Sequence, residues 1–359
     1  MSTYKSPLHQ MSETTPTDYW NDSCAMDELS YGVEHGAVGA TTNPVIVVDV
    51  LKKAYQDWVE PLRGIIRDNP TATEDDIAWM LIDLMAAKAA ELLMPAYLAT
   101  KGKKGRLSMQ TSAKFYRNAQ AMVEQAMHFT TVVPNLNVKM PVTAAGIEGI
   151  EEATYRGISV NATVSFTVPQ AIAVGEAVER GLNRREADGY DVSEMAPVCT
   201  IMVGRTDDWL KVVASKRDII VNPDYLEWAG VAVMKNAYRI YQERGYRARL
   251  LSAAYRNHYH WSEFIGGDVI TTIPYQWAKR FNGCDVEVAP RMDRPVDPKI
   301  VNTLREKFED FRKAYDPEGM RVEEFDDYGA TRRTLRQFIG GYVELCQMVR
   351  DVMIPNPDK

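Results

Sequence analysis

Eight short runs rich in apolar and β-branched residues recur along the chain, and most are followed by a longer segment of helical character. This alternation is typical of βα units, whose strands form a parallel sheet. Eight units favour a sheet that closes into a barrel over an open, doubly wound sheet. The predicted strands are Tyr19–Ser23, Val38–Thr42, Gly105–Thr111, Leu136–Val142, Ile158–Phe166, Pro197–Gly204, Arg249–Ala254 and Asp268–Ile273.

The chain of 359 residues contains no internal repeat, low-complexity tract or convincing linker. Barrels of this class often run to ~250 residues or more as one domain, so a single domain is the simpler interpretation. We therefore predict an α/β fold, a single (β/α)8 TIM barrel over residues 18–359. A polar extension, residues 1–17, precedes it, and additional C-terminal helices begin at about residue 297.

Helix signals support this organisation. Thr73 followed by Asp76 is a capping signal that leads into an apolar stripe, and that helix should run to near Leu98. Pro223–Glu243 and Pro298–Tyr315 also have helical character. The last long helix carries an apolar stripe, which we interpret as packing against the barrel or, alternatively, against a partner subunit in a homo-oligomer. The stripe consists of Leu335, Phe338, Ile339, Tyr342, Cys346 and Val349.

Composition excludes several classes of function. The net charge of −7 argues against nucleic acid as a partner. No run approaches the ~18 apolar residues of a membrane helix, and the polar N-terminus does not resemble a signal peptide. The four cysteines lie far apart without metal-type or disulfide-type spacing, which favours reduced thiols and a cytoplasmic location.

Polar and apolar side chains alternate in four of the predicted strands. In LNVKMPV, Asn137 and Lys139 share one face, and in ISVNATVSF the polar face holds Asn161, Thr163 and Ser165. Because the outer face of a barrel meets the helices, we expect these polar faces to point into the lumen, where barrel enzymes carry their chemistry. The same alternation places Ser108 with Gln110, and Ser252 with Ala254 and Arg256.

A lysine inside such a barrel has a specific chemical use. Burial disfavours the ammonium form, and the neutral amine can attack a ketone to form a Schiff base. The iminium then accepts electrons from a neighbouring carbon–carbon bond as that bond breaks. Lys139 is the candidate nucleophile, and Asp22, at the end of the first strand, is the candidate acid/base group.

Four ordered segments, over a region from about Asp18 to Pro274, resemble the transaldolase family of class I aldolases. The segments are GATTNP (Gly39–Pro44), VKMPVTAAGI (Val138–Ile147), GISVNATVSF (Gly157–Phe166) and VGRTDDW (Val203–Trp209). The resemblance implies a soluble, cytoplasmic enzyme of carbohydrate metabolism, typical of the pentose phosphate pathway. It also implies a phosphorylated sugar as substrate and neither a metal nor an organic cofactor.

The resemblance implies roles residue by residue. Lys139 falls at the Schiff-base lysine, and Asp22 at the aspartate that handles the proton of the substrate C4 hydroxyl. Residues Asn43, Asn161 and Thr163 match those that hold substrate hydroxyls and the catalytic water. Arg205 and Arg256 match the two arginines that bind the sugar phosphate in the family. Thr200 stands where the family usually has a serine, and Ser252 is a further substrate-binding candidate.

The third strand departs from the family pattern. Transaldolases usually have a glutamate there to activate water, whereas this chain has Gln110, which positions water but does not titrate. The related fructose-6-phosphate aldolases resemble this chain at that position. Met202 also stands where an aromatic residue is common. Transfer of a dihydroxyacetone unit is thus the expected activity, and aldol cleavage with release of dihydroxyacetone is the alternative, with a non-catalytic sugar-phosphate-binding protein as a third.

Simpler interpretations exist for several of these residues. Asp22 could cap the helix that starts near Ala25. The two arginines could instead pair with Asp207–Asp208 or with Glu263. The neighbouring His258 and His260 have no third ligand at recognisable spacing, so we predict no metal site.

Overall fold

The computed structural model describes residues 4–358 and contains a closed barrel of eight parallel strands. Each strand pairs with the next in chain order, and the first pairs with the eighth to close the sheet. The predicted barrel and all eight predicted strands are therefore confirmed. The strands are β1 (Asp18–Asn21), β2 (Ala37–Thr41), β3 (Arg106–Gln110), β4 (Leu136–Pro141), β5 (Val160–Thr163), β6 (Val198–Ile201), β7 (Arg249–Ser252) and β8 (Val269–Ile273).

Helices cover the outside of the barrel and continue beyond β8, as the sequence predicts for the C-terminal region. Two short 3-10 turns, Ala113–Phe115 and Val322–Asp327, accompany them. The helices are α1 (Pro7–Thr14), α2 (Met26–Glu34), α3 (Pro44–Lys53), α4 (Tyr55–Asp68), α5 (Glu74–Ala99), α6 (Ala119–Phe129), α7 (Ala144–Tyr155), α8 (Val168–Ala187), α9 (Val203–Lys216), α10 (Pro223–Leu226), α11 (Ala229–Arg244), α12 (Tyr259–Ser262), α13 (Tyr275–Asn282), α14 (Pro298–Lys307), α15 (Glu309–Tyr315) and α16 (Gly329–Met353).

β5 and β6 each end three residues earlier than the sequence predicts. β5 ends at Thr163 because Val164 adopts a left-handed conformation, with φ of +56°. That conformation is unfavourable for a β-branched residue and turns the chain sharply. β6 ends at Ile201, since Val203 already belongs to α9.

Two predicted helices are each interrupted. Pro223–Glu243 divides into α10 and α11, and Pro298–Tyr315 divides into α14 and α15 at Phe308, whose backbone is extended. The capping signal at Thr73 is confirmed. Its hydroxyl oxygen accepts from the Asp76 amide at 3.2 Å, and its own amide donates to the Asp76 carboxylate at 2.8 Å.

The lumen is closed at the amino ends of the strands and polar toward their carboxyl ends. At the amino end, buried Asp18 accepts from Lys104 Nζ at 2.7 Å and from Arg249 Nη1 at 2.6 Å. Above this ion pair lies an apolar layer whose strand residues come from β1, β6, β7 and β8. Its buried members are Trp20, Val198, Leu251, Ala253 and Ile270. Only the carboxyl end of the barrel is thereby left for polar chemistry.

The N-terminal segment packs against the outside of the barrel. In α1, Leu8 and Met11 are fully buried, and both join a cluster that includes Tyr19 of β1 and Ile273 of β8. The indole N–H of Trp261 lies 3.1 Å from the Met11 sulfur. Residues 7–14 thus contribute apolar side chains to the barrel wall, although the segment's composition is largely polar.

The long helix α16 packs on α3 and α5. Its predicted stripe is buried apart from Ile339, which is partly exposed. A Cβ at Gly341 would lie 3.2 Å from the Val45 backbone, so glycine permits the close approach of α16 to the start of α3. Among the helices of residues 4–358, none is long and apolar enough to cross a membrane.

Candidate active site

Lys139 lies in the lumen near the carboxyl end of β4. It aligns with Gln110 of β3 on one side and with Asn161 of β5 on the other. Only 5% of the residue is exposed, and its Nζ donates to the Thr42 carbonyl at 3.2 Å. Burial lowers the pKa of Lys139 to about 8, against an opposing effect of Asp22 and with a smaller contribution from Arg205. A useful fraction of the amine is therefore neutral near physiological pH.

Asp22 follows β1 and lines the same cavity as Lys139. Its Oδ1 accepts from the Thr41 hydroxyl at 2.6 Å, and Thr41 Oγ1 lies 2.6 Å from Thr272 Oγ1. Because Thr41 uses its proton on Asp22, Thr272 donates to Thr41. Burial raises the pKa of Asp22, whereas the Lys139 ammonium and the Thr41 hydrogen bond oppose that rise.

The simpler interpretation of Asp22 as a helix cap is not supported. The N-cap residue of α2 is Ala25, which makes no side-chain capping bond. The Ala25 amide donates instead to the Ser23 hydroxyl oxygen at 3.1 Å. The Asp22 carboxylate is therefore free of a capping role.

Two polar atoms on the strands that flank Lys139 are buried and have no hydrogen-bond partner within residues 4–358. They are Gln110 Oε1 of β3 and Thr163 Oγ1 of β5. Buried polar groups normally find a partner, so such atoms mark a place for a water molecule or a substrate atom. The strained Val164 directly follows Thr163, at a cost of about 1–3 kcal/mol for such a backbone, which is typical of functional sites.

Asn161 and Thr200 form a polar layer next to Lys139. Asn161 is fully buried, donates to Ser108 Oγ at 3.0 Å and accepts from Thr200 Oγ1 at 2.6 Å. Thr200 lines the cavity, whereas Asn161 does not. The hydrogen bonds of Asn161 make it a support for the residues that line the cavity.

Asn43 also lines the cavity and begins α3. Its Oδ1 accepts from the amides of Val45 and Ile46 at 3.0 and 3.1 Å, so this oxygen caps the helix. The side-chain amide nitrogen makes no hydrogen bond to the described residues, which leaves it available as a donor to a ligand hydroxyl.

Arg205 and Arg256 both lie at the mouth of the cavity but have different partners. Arg205 Nη1 donates to Gln337 Oε1 at 2.6 Å and Thr334 Oγ1 at 3.3 Å, while its buried Nε has no partner among residues 4–358. Burial, with a contribution from Arg256, lowers the pKa of Arg205 to about 10, so the guanidinium stays charged at neutral pH.

Arg256 is occupied by a carboxylate. Its Nε and Nη2 donate to Asp208 at 3.0 and 2.8 Å, and its Nη1 donates to the Tyr255 carbonyl at 2.8 Å. The ion pair with the Asp207–Asp208 segment is thus present for Arg256, whereas Glu263 pairs with Lys235. Arg256 therefore lines the cavity and is paired with Asp208 at the same time.

Ser252 does not reach the cavity. Leu251 and Ala253 of the same segment occupy the lumen, so strand alternation turns Ser252 to the outer face. There its hydroxyl lies 2.8 Å from the Tyr255 hydroxyl. The sequence-based placement of Ser252 on the lumen face is corrected by this register, and Ala254, at φ of +65°, lines the cavity instead.

The two adjacent histidines do not form a metal site. His260 is fully buried, its Nε2 lies 2.8 Å from Asp207 Oδ2, and its Nδ1 accepts from the Arg256 amide at 3.0 Å. Both ring nitrogens of His260 are therefore used inside the protein. Within residues 4–358, no cluster of three or more histidine, cysteine or acidic side chains has metal-binding geometry.

The cavity has a volume of about 280 Å³ and opens at the carboxyl end of the barrel. Several residues around it were missed from the sequence. The sequence indicates only that Phe338 belongs to the apolar stripe of α16, yet Phe338 lines the cavity, and Gln337 and Thr334 of the same helix contact Arg205. Thr41 donates to Asp22 and Thr272 donates to Thr41, and both are strand threonines that alternation could have placed in the lumen.

A closed parallel barrel with a buried lysine, a partly buried carboxylate and arginines at the carboxyl ends of its strands is the arrangement typical of α/β-barrel enzymes. The family model described as transaldolase/fructose-6-phosphate aldolase matches residues 19–321, and the chain belongs to this family.

Curated relatives agree with the family. The chain is 29% identical over 255 residues to a transaldolase of Acidothermus cellulolyticus, covering 66% of this chain and 65% of that protein. It is 27% identical over 308 residues to a transaldolase of Thiobacillus denitrificans, covering 77% and 84%. It is 30% identical over 255 residues to a transaldolase of Thermobifida fusca, covering 66% of each protein. The chain thus spans just under two thirds of the first and third relatives.

Proposed function

We propose that this protein is a class I aldolase of transaldolase type that acts on a phosphorylated ketose through a Schiff base on Lys139. The observation that carries the proposal is the buried Lys139 amine, whose pKa is lowered to about 8, in one cavity with the Asp22 carboxylate. A neutral amine and a nearby base are the two groups that this chemistry requires.

The reaction begins with attack of the Lys139 amine on the C2 ketone, and the carbinolamine loses water to give an iminium. Asp22 takes the proton of the C4 hydroxyl, the C3–C4 bond breaks, and its electrons reduce the iminium to an enamine. An aldose phosphate leaves. The unpartnered Gln110 Oε1 and Thr163 Oγ1 are suited to hold the water molecule lost and later consumed in these steps.

Binding of the sugar falls to the residues around the cavity mouth. The Arg205 guanidinium has donors free for a phosphate or sulfonate group, and Arg256 can join it after release from Asp208. Asn43 and Thr200 supply polar groups for sugar hydroxyls, and Asn161 supports Thr200.

The fate of the enamine separates two activities. Attack of the enamine on an aldehyde acceptor gives transfer of the dihydroxyacetone unit, which we assign as the main activity. Protonation of the enamine followed by hydrolysis releases dihydroxyacetone instead. Gln110 supports this second activity as the alternative, because fructose-6-phosphate aldolases resemble this chain at that position.

A product assay tests the proposal. Fructose 6-phosphate is incubated with and without erythrose 4-phosphate, and glyceraldehyde 3-phosphate, sedoheptulose 7-phosphate and dihydroxyacetone are measured. Acceptor-dependent formation of the seven-carbon product supports transfer, and acceptor-independent dihydroxyacetone supports simple cleavage. Turnover retained by Lys139→Ala would contradict the Schiff-base mechanism. Binding of the sugar without turnover by the unaltered protein would favour a sugar-phosphate-binding protein.

A further inference from the structure

The guanidinium of Arg205 is held by a helix that lies outside the eight βα units. Arg205 belongs to α9, whereas its hydrogen-bond partners Gln337 and Thr334 belong to α16. The Phe338 ring lies beside the same guanidinium, with 5.5 Å between its centroid and Cζ. Three side chains of one helical turn therefore fix the position of this cation from above the barrel.

The acceptors that hold Arg205 are neutral. A carboxylate in place of Gln337 would orient the arginine equally well but would cancel its charge toward an anion. The amide oxygen occupies Nη1 only, and the buried Nε remains without a partner within residues 4–358. The arginine is thus oriented and still carries a full charge with donors to spare.

Arg256 shows the opposite arrangement at the same mouth. Asp208 occupies its Nε and Nη2, and the Tyr255 carbonyl occupies its Nη1. An oxyanion can use this fork only by displacing Asp208. Arg205 is therefore the cation that is ready to bind before any rearrangement.

The helix itself is anchored close to the cavity. Gly341 contacts Val45, next to the cavity-lining Asn43, and the Tyr342 hydroxyl donates to Asp75 at 2.6 Å. These contacts lie one turn beyond Gln337, so they set how far its side chain reaches over Arg205. Phe338 of the same turn closes the cavity wall.

From these contacts we infer that Gln337, assisted by Thr334, is a positioning residue that presents Arg205 to the anionic group of the substrate. The inference rests on the proposed function, because it assigns Arg205 to an anionic sugar. It goes further by making α16 a determinant of selectivity for phosphorylated over unphosphorylated sugars, in a region outside the barrel.

The test compares Gln337→Ala, Gln337→Glu and the control Gln347→Ala. Gln347 lies on the exposed side of the same helix and accepts from Arg350 at 2.9 Å, so the control removes a similar bond away from the cavity. Steady-state kinetics are measured with dihydroxyacetone as the donor and with either glyceraldehyde 3-phosphate or glyceraldehyde as the acceptor, so that only the acceptor carries the anionic group. The dissociation constant of inorganic phosphate is measured by calorimetry, which requires no turnover.

We expect Gln337→Ala to raise KM for glyceraldehyde 3-phosphate and the phosphate dissociation constant by about 10-fold, the scale of one hydrogen bond to a charged group. The kcat and the kinetics with glyceraldehyde should stay unchanged. Gln337→Glu should weaken phosphate by a larger factor, about 100-fold, because a carboxylate neutralises Arg205. The control should behave as the unaltered protein.

Two results would overturn the inference. One is a phosphate dissociation constant for Gln337→Glu equal to that of the unaltered protein. The other is a Gln337→Ala variant that loses activity equally with both acceptors, which would indicate a merely structural role. A third outcome is that the Gln337 variants bind phosphate more weakly than the unaltered protein, while none of the proteins, the unaltered one included, shows turnover. This outcome would support the inference and count against the proposed function.

Discussion

Two regions of the cavity are built in different ways. The lumen layer comprises Lys139, Gln110 and Thr163, and the rim is the mouth of the cavity with Arg205, Arg256 and Gln337. Lys139, Gln110 and Thr163 lie on or at the ends of adjacent strands, whose pairing fixes their relative heights. The rim joins Arg205 of α9 with Gln337 of α16, which are far apart in sequence and meet only through helix packing. Under the proposed function, this difference means that the barrel fixes the carbon–carbon chemistry, whereas recognition of the anionic end of the substrate depends on tertiary contacts that can vary separately.

The largest effect is expected in the lumen. Lys139→Arg keeps a cation but cannot form an imine, because guanidinium stays protonated. We expect turnover to fall by at least ~10⁴-fold, the scale of losing a covalent nucleophile. Steady-state assays, with circular dichroism to check folding, measure this. The control is Lys211→Arg, at a partly exposed lysine paired with Glu227, and comparable loss of turnover in both variants would contradict the assignment.

The pH profile is expected to follow the Lys139 amine. Its pKa is lowered to about 8, so kcat/KM for the ketose should rise about tenfold per pH unit below that value and level off above it. Asp22 raises the pKa of Lys139 and Arg205 lowers it. Asp22→Asn should therefore shift this limb to lower pH, and Arg205→Met should shift it to higher pH.

The rate of imine formation, followed by quenching with borohydride over a pH series, measures these shifts even where turnover is slow. The electrostatic account of the lumen layer would be contradicted if Asp22→Asn and Arg205→Met shifted the limb in the same direction. It would also be contradicted if the limb of the unaltered protein fell near the ordinary pKa of lysine. In Asp22→Asn, turnover should also fall by ~10²–10⁴-fold because the base is lost.

The rim should respond through affinity, and unequally. Arg205→Met should raise KM for a phosphorylated substrate by about 100-fold, since a free charged donor pair is lost, and Arg256→Met by about 10-fold or less, since Asp208 already occupies that fork. Unphosphorylated ketoses should be affected little in either variant. Equal effects of the two substitutions, or equal losses with unphosphorylated ketoses, would remove the distinction between the two arginines.

The smallest effect is expected for Thr272→Val. This substitution removes the donor to Thr41 but leaves the hydrogen bond from Thr41 to Asp22. We expect kcat to fall by about 2–10-fold, the scale of one neutral hydrogen bond, with KM unchanged. A change in KM alone would instead place Thr272 in substrate binding, and it would weaken the boundary drawn between lumen and rim.

The lumen layer was largely predictable from the sequence because strand alternation is a local rule. It placed Lys139, Asn137 and Asn161 correctly on one face. The rule misled at Ser252, where the polar side chains after β7 suggested the wrong face and the apolar Leu251 and Ala253 fill the lumen instead. The apolar layer above the Asp18 ion pair reverses, for β7, the expectation that lumen positions are polar.

The rim could not be predicted in the same way. The apolar stripe of α16 predicts the buried side of the helix. No local pattern shows that Gln337, beside Phe338 of that stripe, contacts Arg205. The sequence leaves open whether Arg256 binds the sugar phosphate or pairs with a nearby carboxylate, and only the structure shows that it pairs with Asp208. The ends of β5 at Thr163 and of β6 at Ile201 are also set by changes of backbone direction that residue periodicity does not report.

Reductive trapping tests the central claim most directly. The protein is incubated with fructose 6-phosphate and sodium borohydride, digested, and analysed by peptide mass spectrometry. The account predicts a reduced ketose or dihydroxyacetone adduct on the peptide containing Lys139, and none when Lys139→Arg is treated in the same way. A folded, unaltered protein that acquires no adduct at Lys139 from fructose 6-phosphate or from a panel of other ketoses would contradict it.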